Sequence, residues 1–99
     1  MEEDKIITTA SELISEHFLV KISDVQNENM LREKLKEIIA NLIKYNFERL
    51  VQGLYRIDVA EEKFSEAMKE SDFDLLVHKI TNLILNREIE KAKYRNRKM

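Results

Sequence analysis

Residues 73–95 read FDLLVHKITNLILNREIEKAKYR. Phe73, Leu76, Val77, Ile80, Leu83 and Ile84 recur every three or four positions, the spacing at which side chains share one face of an α-helix. A half-buried strand would instead alternate apolar and polar residues at every second position. Leu85, Ile89 and Ala92 make a second stripe on the same helix. Two stripes ask for two partners, one of which can be a second chain, so the second stripe reads equally as core or as an interface. Ser71-x-x-Asp74 has the form of a capping box and places the helix start near residue 73.

The same periodicity extends upstream. Asp58, followed at the third position by Glu61, caps a short helix over about 59–70 that buries Val59, Phe64, Ala67 and Met68. A long helix over about 25–53 precedes it, with a first stripe at Leu31, Leu35, Ile38, Ile39 and Leu42. Further along, that stripe moves to Ile43, Phe47, Leu50, Val51 and Leu54, a drift expected of a supercoil or of a change in packing partner. Gly53 is the expected end of this helix, since glycine takes the left-handed conformation at little cost. Ser23-x-x-Gln26 fits a capping box at its start, with Asn27 and Asn29 as rival caps. The first helix covers about 4–19 on Ile6, Ile7, Ala10, Leu13, Ile14 and Phe18. The prediction is an all-α, four-helix bundle-like arrangement, with two long helices (about 25–53 and 73–95) and two shorter ones (about 4–19 and 59–70). It forms a single domain over residues 1–99, with a basic tail at about 91–99. The longer helices span roughly 40 Å at about 1.5 Å per residue, which favours an elongated bundle or a dimer that covers their ends.

Composition supports long helices. The chain of 99 residues has one glycine and no proline, the two residues that punctuate turns and strands. Apolar residues make up 43% and charged residues 36%, enough for a core beneath a charged surface. The absence of cysteine excludes disulfides, thiolate zinc sites and cysteine nucleophiles. The acidic start Met1-Glu2-Glu3-Asp4 does not resemble a secretory leader. The apolar runs are too short and too often broken by polar residues to cross a membrane. A soluble cytoplasmic protein is expected. Net charge is −2, unevenly spread. Residues 1–16 hold five acids and one base, giving −4, and residues 87–99 hold six bases and two acids, giving +4. That gradient matches the helix dipole rule at both ends, and it is also the mark of an anion-binding tail.

The segment Leu54-Tyr55-Arg56-Ile57-Asp58-Val59-Ala60-Glu61-Glu62-Lys63, followed by Ile80-Thr81-Asn82-Leu83-Ile84-Leu85-Asn86-Arg87-Glu88, resembles a group of short bacterial all-helical proteins of uncharacterised function. The resemblance covers about residues 54–90. It implies a helical fold and supplies neither an activity nor a catalytic residue.

Candidate chemistry is sparse. Asp74 and His78 share a helix face at i, i+4, where a carboxylate can orient an imidazole or help to hold a metal. No neighbouring histidine or cysteine completes such a site, so a surface pair at the helix start is the simpler reading. His17 borders the stripe of the first helix and reads as a half-buried boundary residue or, because imidazole is the side chain whose charge changes near neutral pH, as a pH sensor. Glu61, Glu62 and Glu66 could be acid–base or metal residues, but no glutamate lies three residues before either histidine, as bundle di-metal sites require. They read as a solvated charged face. Glycine-rich phosphate loops, His-Glu-x-x-His and Gly-x-Ser-x-Gly are all missing. No catalytic, cofactor or metal residue is assigned. Five bases fall within Lys91-Ala92-Lys93-Tyr94-Arg95-Asn96-Arg97-Lys98, and Lys93, Arg95, Arg97 and Lys98 are the candidates for binding anions. Against that, the isoelectric point near 5.7 is far below the value above about 9 usual for nucleic-acid modules.

The expected function is non-enzymatic: a small helical protein-interaction or scaffold protein. It associates with itself, as a homodimer, or with another helical protein, and Leu85, Ile89 and Ala92 are the candidate interface. The alternative is a nucleic-acid-binding accessory protein that uses the basic tail. A third reading is an enzyme or metal protein built on Asp74, His78 and distant carboxylates.

Overall fold

A computed structural model describes residues 2–97. All regular structure among the described residues is helical, and it comprises five helices: α1 (Glu2–Phe18), α2 (Glu28–Tyr45), α3 (Phe47–Arg56), α4 (Glu61–Met68) and α5 (Phe73–Arg97). The expected all-α class is therefore found, with five helices in place of four. The principal extents are 40 × 25 × 20 Å, and the longest is close to the length of α5 itself.

The five-helix count arises at Asn46. Its N–H donates to the Leu42 carbonyl at 2.9 Å and so finishes α2, while its Oδ1 accepts from the Arg49 amide at 3.2 Å and so opens α3. With φ −155° and ψ 64°, the residue is not helical, and the chain turns there. The drift of the apolar stripe beyond Leu42 thus marks a break between two helices and not a supercoil. Gly53, expected to end the long helix, instead lies inside α3. Its role is close approach: a Cβ at this position would fall 2.1 Å from the ring of Phe18.

Two helices close with a residue in the left-handed region. Leu19, at φ 57°, follows α1, and the Val20 amide reaches back to the Ser15 carbonyl at 3.1 Å. Asp58, at φ 62°, follows α3, and the Val59 amide reaches the Leu54 carbonyl at 3.2 Å. Both have the Schellman pattern, in which a left-handed residue lets the chain satisfy an orphan carbonyl. Asp58 therefore ends α3 and does not cap α4, which begins at Ala60 with no side-chain cap. The other caps shift by a few residues from expectation. Of the rival candidates at the start of α2, it is Asn27 that caps it, by accepting from the Met30 amide at 2.9 Å. Asp72, not Ser71, caps α5 by accepting from the Leu75 amide at 3.0 Å.

The core is built around α5, which packs against α1, α2 and α4. α1 contributes Ile7, Ala10, Leu13, Ile14 and Phe18; α2 contributes Leu31, Leu35, Ile39 and Leu42. α1 runs antiparallel to α5: Thr9 meets Asn96 near one end (Oγ1 to Oδ1, 3.5 Å) and His17 meets Glu88 near the other. These packings draw on both stripes of α5, while Phe73 stays exposed and Leu76, Leu83 and Ile89 stay half-buried. Val77, Ile80, Ile84, Leu85 and Ala92 are all buried within the chain.

Candidate functional site

Burial reassigns the second α5 stripe. Leu85 and Ala92 have no exposed surface, because α5 is the helix around which the others assemble; Ile89 alone keeps partial exposure. Leu85 and Ala92 therefore serve the chain's own core, and they are not positioned to meet a second chain.

Large apolar side chains left in water include Leu19 after α1, Phe73, Leu75 and Tyr94 on α5, and a set on α3. On α3, Phe47, Val51 and Tyr55 follow one another at i, i+4 and i+8, so they form one row along the helix. They are 39%, 40% and 87% exposed. The opposite face of α3 carries Leu50, Gly53 and Leu54, all buried. α3 is thus apolar on the side that packs and again along much of the side that does not. Tyr45, the last residue of α2, is 81% exposed. This end of the molecule is also where aromatic rings gather. Phe47 stacks on Phe64 with centroids 6.3 Å apart, which fixes one edge of the row, and Lys44 lies 5.0 Å over the Phe73 ring.

The basic tail is helical through Arg97. Lys93 and Arg95 are exposed; the Arg97 side chain and Lys98 lie outside the described residues. Lys93 belongs to the wall of a cleft of about 610 Å³ between α5 and the α3–α4 corner. Three cations, Lys63, Arg87 and Lys93, face three acids there, Glu28, Asp58 and Glu90. The charges balance, and the cleft does not build the single-sign field that draws in a polyanion. Arg87 is further committed, donating to the Ile57 carbonyl at 2.9 Å and to Glu90 at 2.8 Å.

Asp74 and His78 do not come together as a bonded pair. The ring of His78 bonds Asn82 at 3.1 Å, four residues further on, and Arg32 from α2 holds the Asn82 carbonyl oxygen. Glu61, Glu62 and Glu66 lie on the exposed side of α4, where Glu66 pairs with Lys69 at 3.3 Å. No group of three or more metal-ligating side chains occurs among the described residues.

One polar group stands out in the core. Glu88 is completely buried in α5, and its Oε2 meets Nδ1 of His17 at 2.8 Å. Its other oxygen, Oε1, has no hydrogen-bond partner. Burial pushes the Glu88 carboxyl up, against the opposing influence of the His17 hydrogen bond and of the His17, Lys91 and Arg87 charges. Glu88 is absent from the candidates above, yet the sequence carries a signal for it: residues 84, 85, 88 and 92 follow helical spacing, and the acid occupies a core position among Ile84, Leu85 and Ala92.

The chain matches no known protein family, no curated protein and no solved structure. The resemblance read from residues 54–90 acquires no family from these comparisons. No helix among the described residues is long and apolar enough to cross a membrane.

Proposed function

We propose that the protein is a helical interaction module that pairs with a second copy of itself through the outer face of α3. The observation that carries this reading is the row Phe47, Val51 and Tyr55, three side chains left exposed in one line along a single helix. Covering such side chains gains about 25 cal/mol for each Å² removed from water. Aromatic side chains are the usual anchors of protein interfaces.

A second copy suits this face because α3 can pair with itself about a twofold axis. An isologous contact must be self-complementary. With Val51 on the axis, an antiparallel pair sets Phe47 of one copy against the partner's Tyr55, and the reverse. It also brings the Glu48 end of one helix to the Arg56 end of the other and opposes the two helix dipoles. The contact is short, because ten residues of helix span about 15 Å, so moderate affinity is expected.

Light scattering on a concentration series tests this. The wild-type chain should approach twice its monomer mass of 11.8 kDa as concentration rises. Val51→Glu places two like charges on the axis and should weaken pairing by roughly 10-fold or more, about 1.4 kcal/mol. A wild-type protein that stays monomeric at every concentration contradicts the proposal. A monomer that instead captures a different helical protein through Val51 and Tyr55 replaces self-pairing with hetero-pairing.

A further inference from the structure

His17 and Glu88 stand 71 residues apart in the chain and meet at 2.8 Å inside the fold. The carboxylate is wholly buried and flanked on α5 by Ile84, Leu85 and Ala92, also buried, and one of its two oxygens is unpartnered. A buried charge that is only half satisfied is costly, and a proton bound at the pair removes that cost. The His17 side chain is 22% exposed, so the proton has a path to water.

We propose that one proton held between His17 and Glu88 acts as a structural ligand, a latch that fastens the last turn of α1 to α5. That turn is also where α3 is seated. Nη1 of Arg56 donates to the His17 carbonyl at 2.8 Å, and the neighbouring Phe18 ring lies against Gly53. Losing the proton loosens the point at which α1, α3 and α5 meet.

The charges around the pair are few. α1 supplies His17, and α3 supplies Arg56 on the His17 carbonyl. α5 supplies Lys91 and Arg87, the latter turned onto Ile57 and Glu90. α2 presents Leu31, Leu35, Ile39 and Leu42 to the core, and α4 presents Ala67. No second carboxylate faces Glu88 from these buried sets to compete for the proton.

The sign follows from linkage. Burial raises the Glu88 carboxyl above its ordinary value of 4.5, so the folded chain takes up a proton that the unfolded chain releases. The stability this confers is fully present below the ordinary carboxyl range, and it is lost as pH rises through the folded value.

Thermal unfolding of the full chain between about pH 5 and pH 8 tests the latch. The wild-type Tm should fall as pH rises, relative to Glu88→Gln. That variant keeps a hydrogen-bonding group opposite His17 and removes the buried charge, so its profile should be flatter. Parallel profiles for the two proteins overturn the proposal. If Glu88→Gln does not fold, proton uptake is counted on the wild type alone, by unfolding it in buffers of different ionisation enthalpy. Net uptake on folding supports the latch, and zero uptake across the range overturns it. Neither readout depends on pairing through α3, so each proposal can fail without the other.

Discussion

Leu19 occupies a left-handed backbone position, at φ 57°, that glycine takes without steric cost. A side chain there costs roughly 1–2 kcal/mol, and 58% of Leu19 is exposed, so it recovers little by burial. Leu19→Gly is therefore expected to stabilise the chain by about 0.5–1 kcal/mol, measured by urea unfolding; a loss of stability would show that the Leu19 side chain matters more than its backbone strain. Gly53 is the opposite case. It sits in a helix interior, where alanine is favoured by about 1 kcal/mol, yet Phe18 leaves no room for a Cβ and is itself fully buried. Gly53→Ala should lose a net of roughly 1–3 kcal/mol by overpacking. A gain would mean that the Phe18 ring can move aside. Glu88 shows the same dependence on context. Its place in an apolar register is visible in the sequence, but its partner is not, because His17 comes to it only through the antiparallel packing of α1 on α5.

At the scale of the helices, local pattern carried most of the way. Spacing alone places Leu31, Leu35, Ile39 and Leu42 on α2, and Val77, Ile80 and Ile84 on α5, in the core, and all are buried. What spacing could not supply was the division of one apparent helix into α2 and α3. Neither proline nor glycine marks that break. It rests on a single asparagine whose backbone finishes one helix and whose side chain begins the next, and an Asn within a helical pattern reads equally well as a solvent-facing residue. Asn46→Ala removes the cap of α3 and should cost about 1 kcal/mol, observed as a lower midpoint in urea. If it stabilises the chain, α2 and α3 are under no obligation to bend. The corner at Asp58 departs from the pattern for a related reason, and at the start of α5 the cap is Asp72 where the pattern points to Ser71. An aspartate near a helix boundary can close the preceding helix from the left-handed region or cap the following one, and only the backbone path decides.

For the whole molecule, the placement of α5 decides which surfaces remain for others. Because it packs against α1, α2 and α4, most of its two stripes are used internally, and among the apolar side chains left exposed those of α3 form a row along one helix. Leu85 and Ala92, the expected interface, are buried, and the pairing proposed above therefore uses Phe47, Val51 and Tyr55. The cleft beside Lys93 holds equal numbers of acids and bases, which removes the field that the nucleic-acid alternative would need at that place. Because the chain has no cysteine, pairing through α3 can be tested with one introduced thiol. In the proposed arrangement Val51 lies on the twofold axis, within the roughly 4.4–6.8 Å between Cα atoms that a disulfide spans. Mild oxidation of Val51→Cys should yield a covalent dimer rapidly, and oxidation of a control thiol at the exposed Glu12 position of α1 should not. Equal, slow cross-linking at both positions would contradict pairing through α3.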